Sequence, residues 1–166
     1  MKAKVLSVFA GLGKTTVGKK YDNVCDLTSS KYRYDYSNIK DEDYEKVKYA
    51  KNMVVNPSWP DNYLKSLREA IDKYDVVLVP SNEDIRHLLC EENIDFTFIL
   101  PSLDSREMLL KRYKERGNSE HLIKEVMGYF DNWSRDAKAY SYPLIILDKD
   151  KYLEDLLLEL QYINKQ

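Results

Sequence analysis

Five short apolar runs punctuate the chain: Lys4 to Phe9, Asn23 to Leu27, Val76 to Pro80, Phe96 to Leu100 and Leu144 to Leu147. They are nearly all apolar, as strands covered on both faces must be, and longer stretches with helical spacing separate them. Short buried strands alternating with helices predict βαβ units around a parallel sheet. The second run, broken by Asp26, is the weakest of them.

The helical stretches carry their own signals. Ser81 with Asp84, and Asp104 with Glu107, read as helix starts, the second helix stopping at Gly117. Ile123, Val126, Met127, Phe130 and Trp133 form one apolar stripe, and Leu153, Leu156, Leu157 and Leu160 another. Between Tyr32 and Tyr74 the pattern blurs into a polar, tyrosine-rich segment. It reads as helix over Asp41 to Asn52 and Asp61 to Tyr74, interrupted by Pro57 and Pro60. A length of 166 residues with 43% hydrophobic content predicts one domain and excludes a disordered chain. A mean hydropathy of −0.58 and the lack of a long apolar run predict no membrane span. The start, two lysines before a short apolar run, reads as a first strand and not as a signal peptide. Two cysteines, Cys25 and Cys90, offer no disulfide framework and fit a reducing, cytoplasmic setting. With 26 Lys+Arg against 28 Asp+Glu, no global basic footprint for nucleic acid exists.

Ser7-Val8-Phe9-Ala10-Gly11-Leu12-Gly13-Lys14-Thr15-Thr16 joins the first run to a helix. A glycine-rich turn between strand and helix exposes consecutive N–H groups that bind phosphate oxygens. Gly11, Leu12, Gly13, Lys14, Thr15 and Thr16 are therefore candidate nucleotide contacts, with Lys14 on the β- and γ-phosphates and the Thr15 hydroxyl on Mg²⁺. The full pattern G-x-x-x-x-G-K-[ST] wants glycine where this chain has Val8. The plainer alternative is a Gly-Lys-Thr turn that merely caps a helix. The length is short for a motor or transport ATPase, and the Asn-Lys-x-Asp guanine motif of GTPases is absent. The third run carries no acid at its end, so a Walker B aspartate is missing, which suits small kinases better than hydrolytic ATPases.

From Phe96 the chain reads Phe-Thr-Phe-Ile-Leu-Pro and then Ser105-Arg-Glu-Met-Leu-Leu-Lys-Arg112-Tyr-Lys-Glu-Arg116-Gly. This stretch resembles the fourth strand, helix and lid of the nucleoside monophosphate kinase superfamily. With Asp26-Leu-Thr-Ser-Ser and Asn56-Pro-Ser-Trp59-Pro-Asp-Asn62-Tyr, nearly the whole chain is similar to compact P-loop kinase-like proteins of low-GC bacteria and their phages. The resemblance implies a three-layer α/β/α P-loop fold, a five-stranded parallel sheet of order 2-3-1-4-5, a lid over about 106–120 and an acceptor segment over about 31–66. It also implies ATP and Mg²⁺ as cofactors, the phosphoryl group passing to a nucleotide or nucleoside. Lys14, Asp26, Arg112 and Arg116 would be catalytic, with Thr15 and Asp26 toward the metal. The arginines, four apart, share a helix face and offer bidentate partners to phosphate. Each is open to the alternative of a solvated basic face, and Asp26 to that of a turn cap. Arg106 and Arg135 are weaker candidates. Asp148 to Asp150 would neighbour the adenine.

Arg33, Tyr34, Tyr36, Asn56, Trp59 and Asn62 are candidates for the acceptor, by stacking or by holding a phosphate. Tyr44 and Tyr63 read as half-buried helix residues, and His87 and His121 as ordinary surface positions. A second reading makes the acceptor a hydroxymethylated base in DNA, as in 5-hydroxymethyluracil DNA kinases, with Lys31, Arg33, Lys40, Lys46, Lys48 and Lys51 beside the strand. A third is a non-catalytic nucleotide-binding module. The chain would act as monomer or homodimer, away from membranes.

Overall fold

The computed structural model describes residues 2–43, 53–135 and 140–165. Strands β1 (Lys4–Val8), β2 (Val24–Asp26), β3 (Val76–Pro80), β4 (Thr97–Pro101) and β5 (Leu144–Leu147) form one parallel sheet in the order β2-β3-β1-β4-β5. Helices α1 (Lys14–Lys20), α2 (Ser30–Arg33), α3 (Asp61–Lys73), α4 (Glu83–Glu91), α5 (Arg106–Glu115), α6 (Glu120–Arg135) and α7 (Leu153–Glu159) flank it. The fold is α/β, with three layers and the sheet in the middle.

The apolar stretches of the central strands are covered on both faces. Val76 to Val79 and Phe98 to Leu100 are buried on both sides of the sheet, each side chain contributing about 1.5–3 kcal/mol by leaving water. β1 lies between β3 and β4, with Val8 opposite Pro80 on one side and Ile99 on the other. Val8 is thus a core strand residue, and the turn begins after it at Phe9. β2 and β5 are the edges, which accounts for the weakness of the second run: Cys25 and Asp26 are half-buried; on β5, Ile146 is exposed. From β1 the chain runs to β2 and β3 on one side and then crosses to β4 and β5 on the other. Open parallel sheets bind ligands outside the carboxyl ends of their strands at such a reversal.

Aromatic packing fills the layer under α6. Phe9 meets Phe130 and Trp133 edge-on at 6.1 and 5.8 Å, and Phe98 meets Trp133, Tyr140 and Tyr142. The α6 and α7 stripes face this core, with Met127, Phe130, Leu153, Leu156 and Leu157 buried.

Local expectations shift in three places. Asn82, not Ser81, occupies the N-cap position of α4, without a side-chain cap bond, and Ser81 is buried. Asp104 sits in a 3₁₀ turn, Leu103–Ser105, that precedes α5. Of the helix expected over Asp41 to Asn52, a 3₁₀ turn forms at Asp41–Asp43 and the remainder lies outside the described residues. Among the described residues, no helix is long and apolar enough to cross a membrane.

Candidate functional site

The turn from β1 to α1 is anchored from below by Phe9 and Leu12, both buried, and by the Phe9 N–H donating to Ile99 O at 3.0 Å. Gly11 (φ 84°) and Gly13 (φ 106°) occupy the left-handed region, which side chains resist. Lys14 opens α1 and is half-buried. Burial pulls its ammonium below the usual lysine range; Asp26 opposes this fall and Arg116 reinforces it. An ammonium in that position is stabilised by an arriving anion.

Asp26 ends β2 beside this turn. Thr15 Oγ1 donates to Asp26 Oδ2 at 3.0 Å, while Asp26 Oδ1 is buried and has no hydrogen-bond partner among the described residues. The approach that brings them together depends on Gly18. A Cβ there would lie 2.7 Å from Asp26 Cβ and 3.2 Å from its backbone nitrogen, so α1 packs on β2 only because that position is bare. Sequence reasoning missed Gly18; its signal is a glycine within a helix, one turn after Lys14.

The helix α5 closes over the turn from the other side. Tyr113 Oη donates to Ala10 O at 2.6 Å and Arg112 Nη1 to Gly11 O at 3.3 Å, with the Arg112 guanidinium 3.9 Å from the Tyr152 ring centre. The Leu153 N–H donates to Leu12 O at 2.9 Å. Arg116 lines a cavity of about 260 Å³ with Gly13, Thr16, Val17, Tyr152, Glu154 and Asp155. Glu154 accepts from Lys20 Nζ and Tyr21 Oη, which holds its carboxyl below the usual range and ties α7 to α1. Tyr113 and Tyr152 also escaped the sequence reading. Arg106 makes a two-pronged pair with Asp131 at 2.9 and 3.1 Å, joining α5 to α6 and directing it away from the turn. Arg135 is the last residue of α6. Asp148 to Asp150 are exposed in the turn before α7.

The acceptor candidates divide. The Arg33 guanidinium lies over Trp59 at 4.5 Å and pairs with Asp84 in the first turn of α4. Trp59 leans on Tyr63, and Tyr32 packs edge-on against the same ring. Tyr63 is fully buried, not half-buried, and its hydroxyl donates to Leu27 O. Its phenol is pushed up first by burial and then by nearby groups that include Tyr32, Asp26 and Asp84, and with Trp59 and Tyr32 it forms an aromatic shelf. Burial, with Glu125 beside it, pushes up the Tyr129 phenol on α6. Tyr34 and Tyr36 meet edge-on at 6.5 Å, and Tyr34 bridges to Val55. Asn56 and Asn62 have structural partners: Asn56 Oδ1 accepts from the Ser58 N–H, and Asn62 Nδ2 donates to Tyr32 O. Lys31 and Lys40 are exposed, whereas Tyr44, Lys46, Lys48 and Lys51 lie outside the described residues.

Arg86, unmarked in the sequence, is buried on α4 against Phe98 and Trp133 and donates to Tyr142 Oη at 2.9 Å. It belongs to the aromatic core and not to the turn. His87 and His121 are exposed.

The donor set suits a small hard cation: the Thr15 hydroxyl and the Asp26 carboxylate lie side by side. Among the described residues, no group of three or more His, Cys, Asp or Glu is arranged to hold a metal alone. Compared with known protein families and with curated proteins, the chain finds no match in either.

Proposed function

We propose that the chain is an ATP-dependent phosphotransferase acting on a nucleotide or nucleoside. The observation that carries this reading is the convergence of the glycine turn, Lys14 and the Thr15–Asp26 pair at the carboxyl edge of the sheet. Catalysis of phosphoryl transfer is mostly positioning and charge neutralisation. The N–H groups of the turn and the Lys14 ammonium hold the phosphates, and Arg116 adds charge beside Lys14. Mg²⁺, when bound through Thr15 and Asp26, neutralises phosphate charge.

In the transfer, the acceptor oxygen forms a bond to the γ-phosphorus as the bond to the β–γ bridging oxygen breaks. ADP leaves with that electron pair. For a hydroxyl acceptor, the proton goes to the Asp26 carboxylate, which ends β2 beside the turn. The nucleobase would lie in the cavity bordered by Arg116 and Tyr152, whose guanidinium and ring suit a flat aromatic group.

One observation favours the reading with a hydroxymethylated base in DNA. Asp84 already engages Arg33, which leaves an aromatic shelf with a neutralised cation where a monophosphate acceptor wants a free one. A labelled-ATP screen over nucleosides, nucleoside monophosphates and DNA with and without hydroxymethylated bases separates these acceptors. Lys14→Ala is expected to abolish transfer with the circular dichroism of the fold unchanged. Transfer that persists in Lys14→Ala, or wild-type protein that labels no acceptor, overturns the enzymatic reading; nucleotide binding without transfer identifies a binding module.

A further inference from the structure

We infer that Tyr113 and Arg112 are positioning residues that set the direction of the peptide groups in the glycine turn. This rests on the nucleotide-binding reading above and assigns to α5 a role the reading does not need. The carbonyls of Ala10, Gly11 and Leu12 accept, in succession, from Tyr113 Oη, Arg112 Nη1 and the Leu153 N–H. All three donors come from outside the turn. A trans peptide is planar, so its C=O and the N–H of the next residue point in opposite directions. Fixing the Ala10, Gly11 and Leu12 carbonyls against α5 and the start of α7 therefore turns the N–H groups of Gly11, Leu12 and Gly13 away from those elements. The same bonds keep three carbonyl dipoles from facing phosphate oxygens, where they would repel.

The turn needs such restraint because glycine supplies little of its own. Gly11 and Gly13 have access to conformations barred to other residues, so an unrestrained turn spreads over several of them. Val8, in the position of an entry glycine, belongs to β1 and does not shape the turn. Tyr113 and Gly11 are matched in shape: a Cβ on Gly11 would lie 2.7 Å from Tyr113 Cε1 and 3.0 Å from its hydroxyl. Burial pushes the Tyr113 phenol well above the usual tyrosine range, so it remains a donor across physiological pH. Arg112 is held between Gly11 O and the Tyr152 ring, which directs its guanidinium to the turn and leaves Arg116 on the cavity.

The test compares Tyr113→Phe and Arg112→Lys with wild type by calorimetric titration of ADP with Mg²⁺, and of adenosine. Tyr113→Phe keeps the ring and removes one hydrogen bond, and Arg112→Lys keeps the charge and removes the planar fork. Each is expected to weaken ADP binding roughly 3–10-fold, the range of one net hydrogen bond. Adenosine binding is expected to change less than about 2-fold, because the clamp acts on the phosphate end and the cost of a lost bond is confined there. Equal losses for ADP and adenosine assign both residues to general packing and overturn the inference. Wild-type ADP affinity in both variants overturns it too. A further Lys14→Ala sample separates the levels: loss of ADP binding there, with both clamp variants unaffected, sinks the clamp alone. A wild-type protein that does not bind ADP sinks the clamp and the nucleotide reading together.

Discussion

Asp26 carries two oxygens with different surroundings: Oδ2 accepts from Thr15 and Oδ1 is buried without a partner among the described residues. A buried acceptor left unbonded is unfavourable by about 1–3 kcal/mol, which a ligand hydroxyl or an ordered water offsets. Asp26→Asn keeps the size of the side chain and the oxygen toward Thr15 but removes the base. It is expected to lower kcat about 100-fold or more, in line with the loss of a general base, while ATP affinity changes by less than about 3-fold. Steady-state kinetics with a separate binding titration checks this; an equal loss of both would make Asp26 a structural cap. Single residues also show what sequence spacing hides. Lys14, Thr15 and Asp26 announce themselves by type and by position next to apolar runs. Arg33 does not disclose its partner, because Asp84 lies 51 residues away and meets it only after α2 and α4 are in place. Tyr113 contacts Ala10 across 103 residues, and nothing in its helical spacing separates it from an ordinary core tyrosine.

Between elements, the decisive contact is α1 on β2. Gly18→Ala puts a methyl group where Asp26 Cβ and its backbone already are, and backbone cannot yield as a flexible side chain does. Overpacking of this kind is unfavourable by about 1–3 kcal/mol. The variant is expected to melt several degrees lower and to lose turnover as Thr15 moves from Asp26. Gly128→Ala on α6 is the counterpart: beyond its chain neighbours and the helix's own backbone, no atom of the described residues lies within 4 Å of the added Cβ, and alanine is the better helix former by about 1 kcal/mol. Thermal melting of the two variants in opposite directions checks both. The elements most legible in sequence were those whose burial is symmetrical or strictly periodic. β1, β3 and β4 announce themselves because both faces are covered, and α6 and α7 because one stripe meets the core. β2 is faint because it is an edge of three residues, one of them the charged Asp26. The helix starts read at Ser81 and Asp104 fall one residue short of the N-cap positions, Asn82 and Ser105: Ser81 is buried and Asp104 accepts from Ser102 Oγ.

Over the whole molecule, the near balance of 26 cations and 28 anions leaves no strong self-repulsion near neutrality, and the 14 tyrosines become the groups that limit stability in alkali. Five of the described tyrosines have raised phenol pKa values, four of them chiefly through burial (Tyr63, Tyr113, Tyr129 and Tyr142) and Tyr21 chiefly through its hydrogen bond to Glu154. Tyr142, beside Arg86, is pushed up to about 12, and Tyr63 and Tyr113 are pushed higher. The sign follows from linkage. A phenol whose folded pKa lies above its ordinary value of 10.0 binds its proton more tightly in the folded chain. The unfolded chain therefore ionises first, and the stability held below pH 10 is lost as pH rises toward 12. Chemical denaturation is expected to give a stability that does not depend on these phenols from pH 7 to about 9.5 and declines steeply between about 10 and 12. Tyrosinate absorbance should rise in two phases, the exposed rings first and the buried ones only as the far-ultraviolet dichroism collapses. Tyr142→Phe, which keeps the ring over Arg86 and removes the titrating hydroxyl, is expected to make the decline shallower. A decline of unchanged steepness in that variant would show that burial of Tyr142 does not couple its proton to folding.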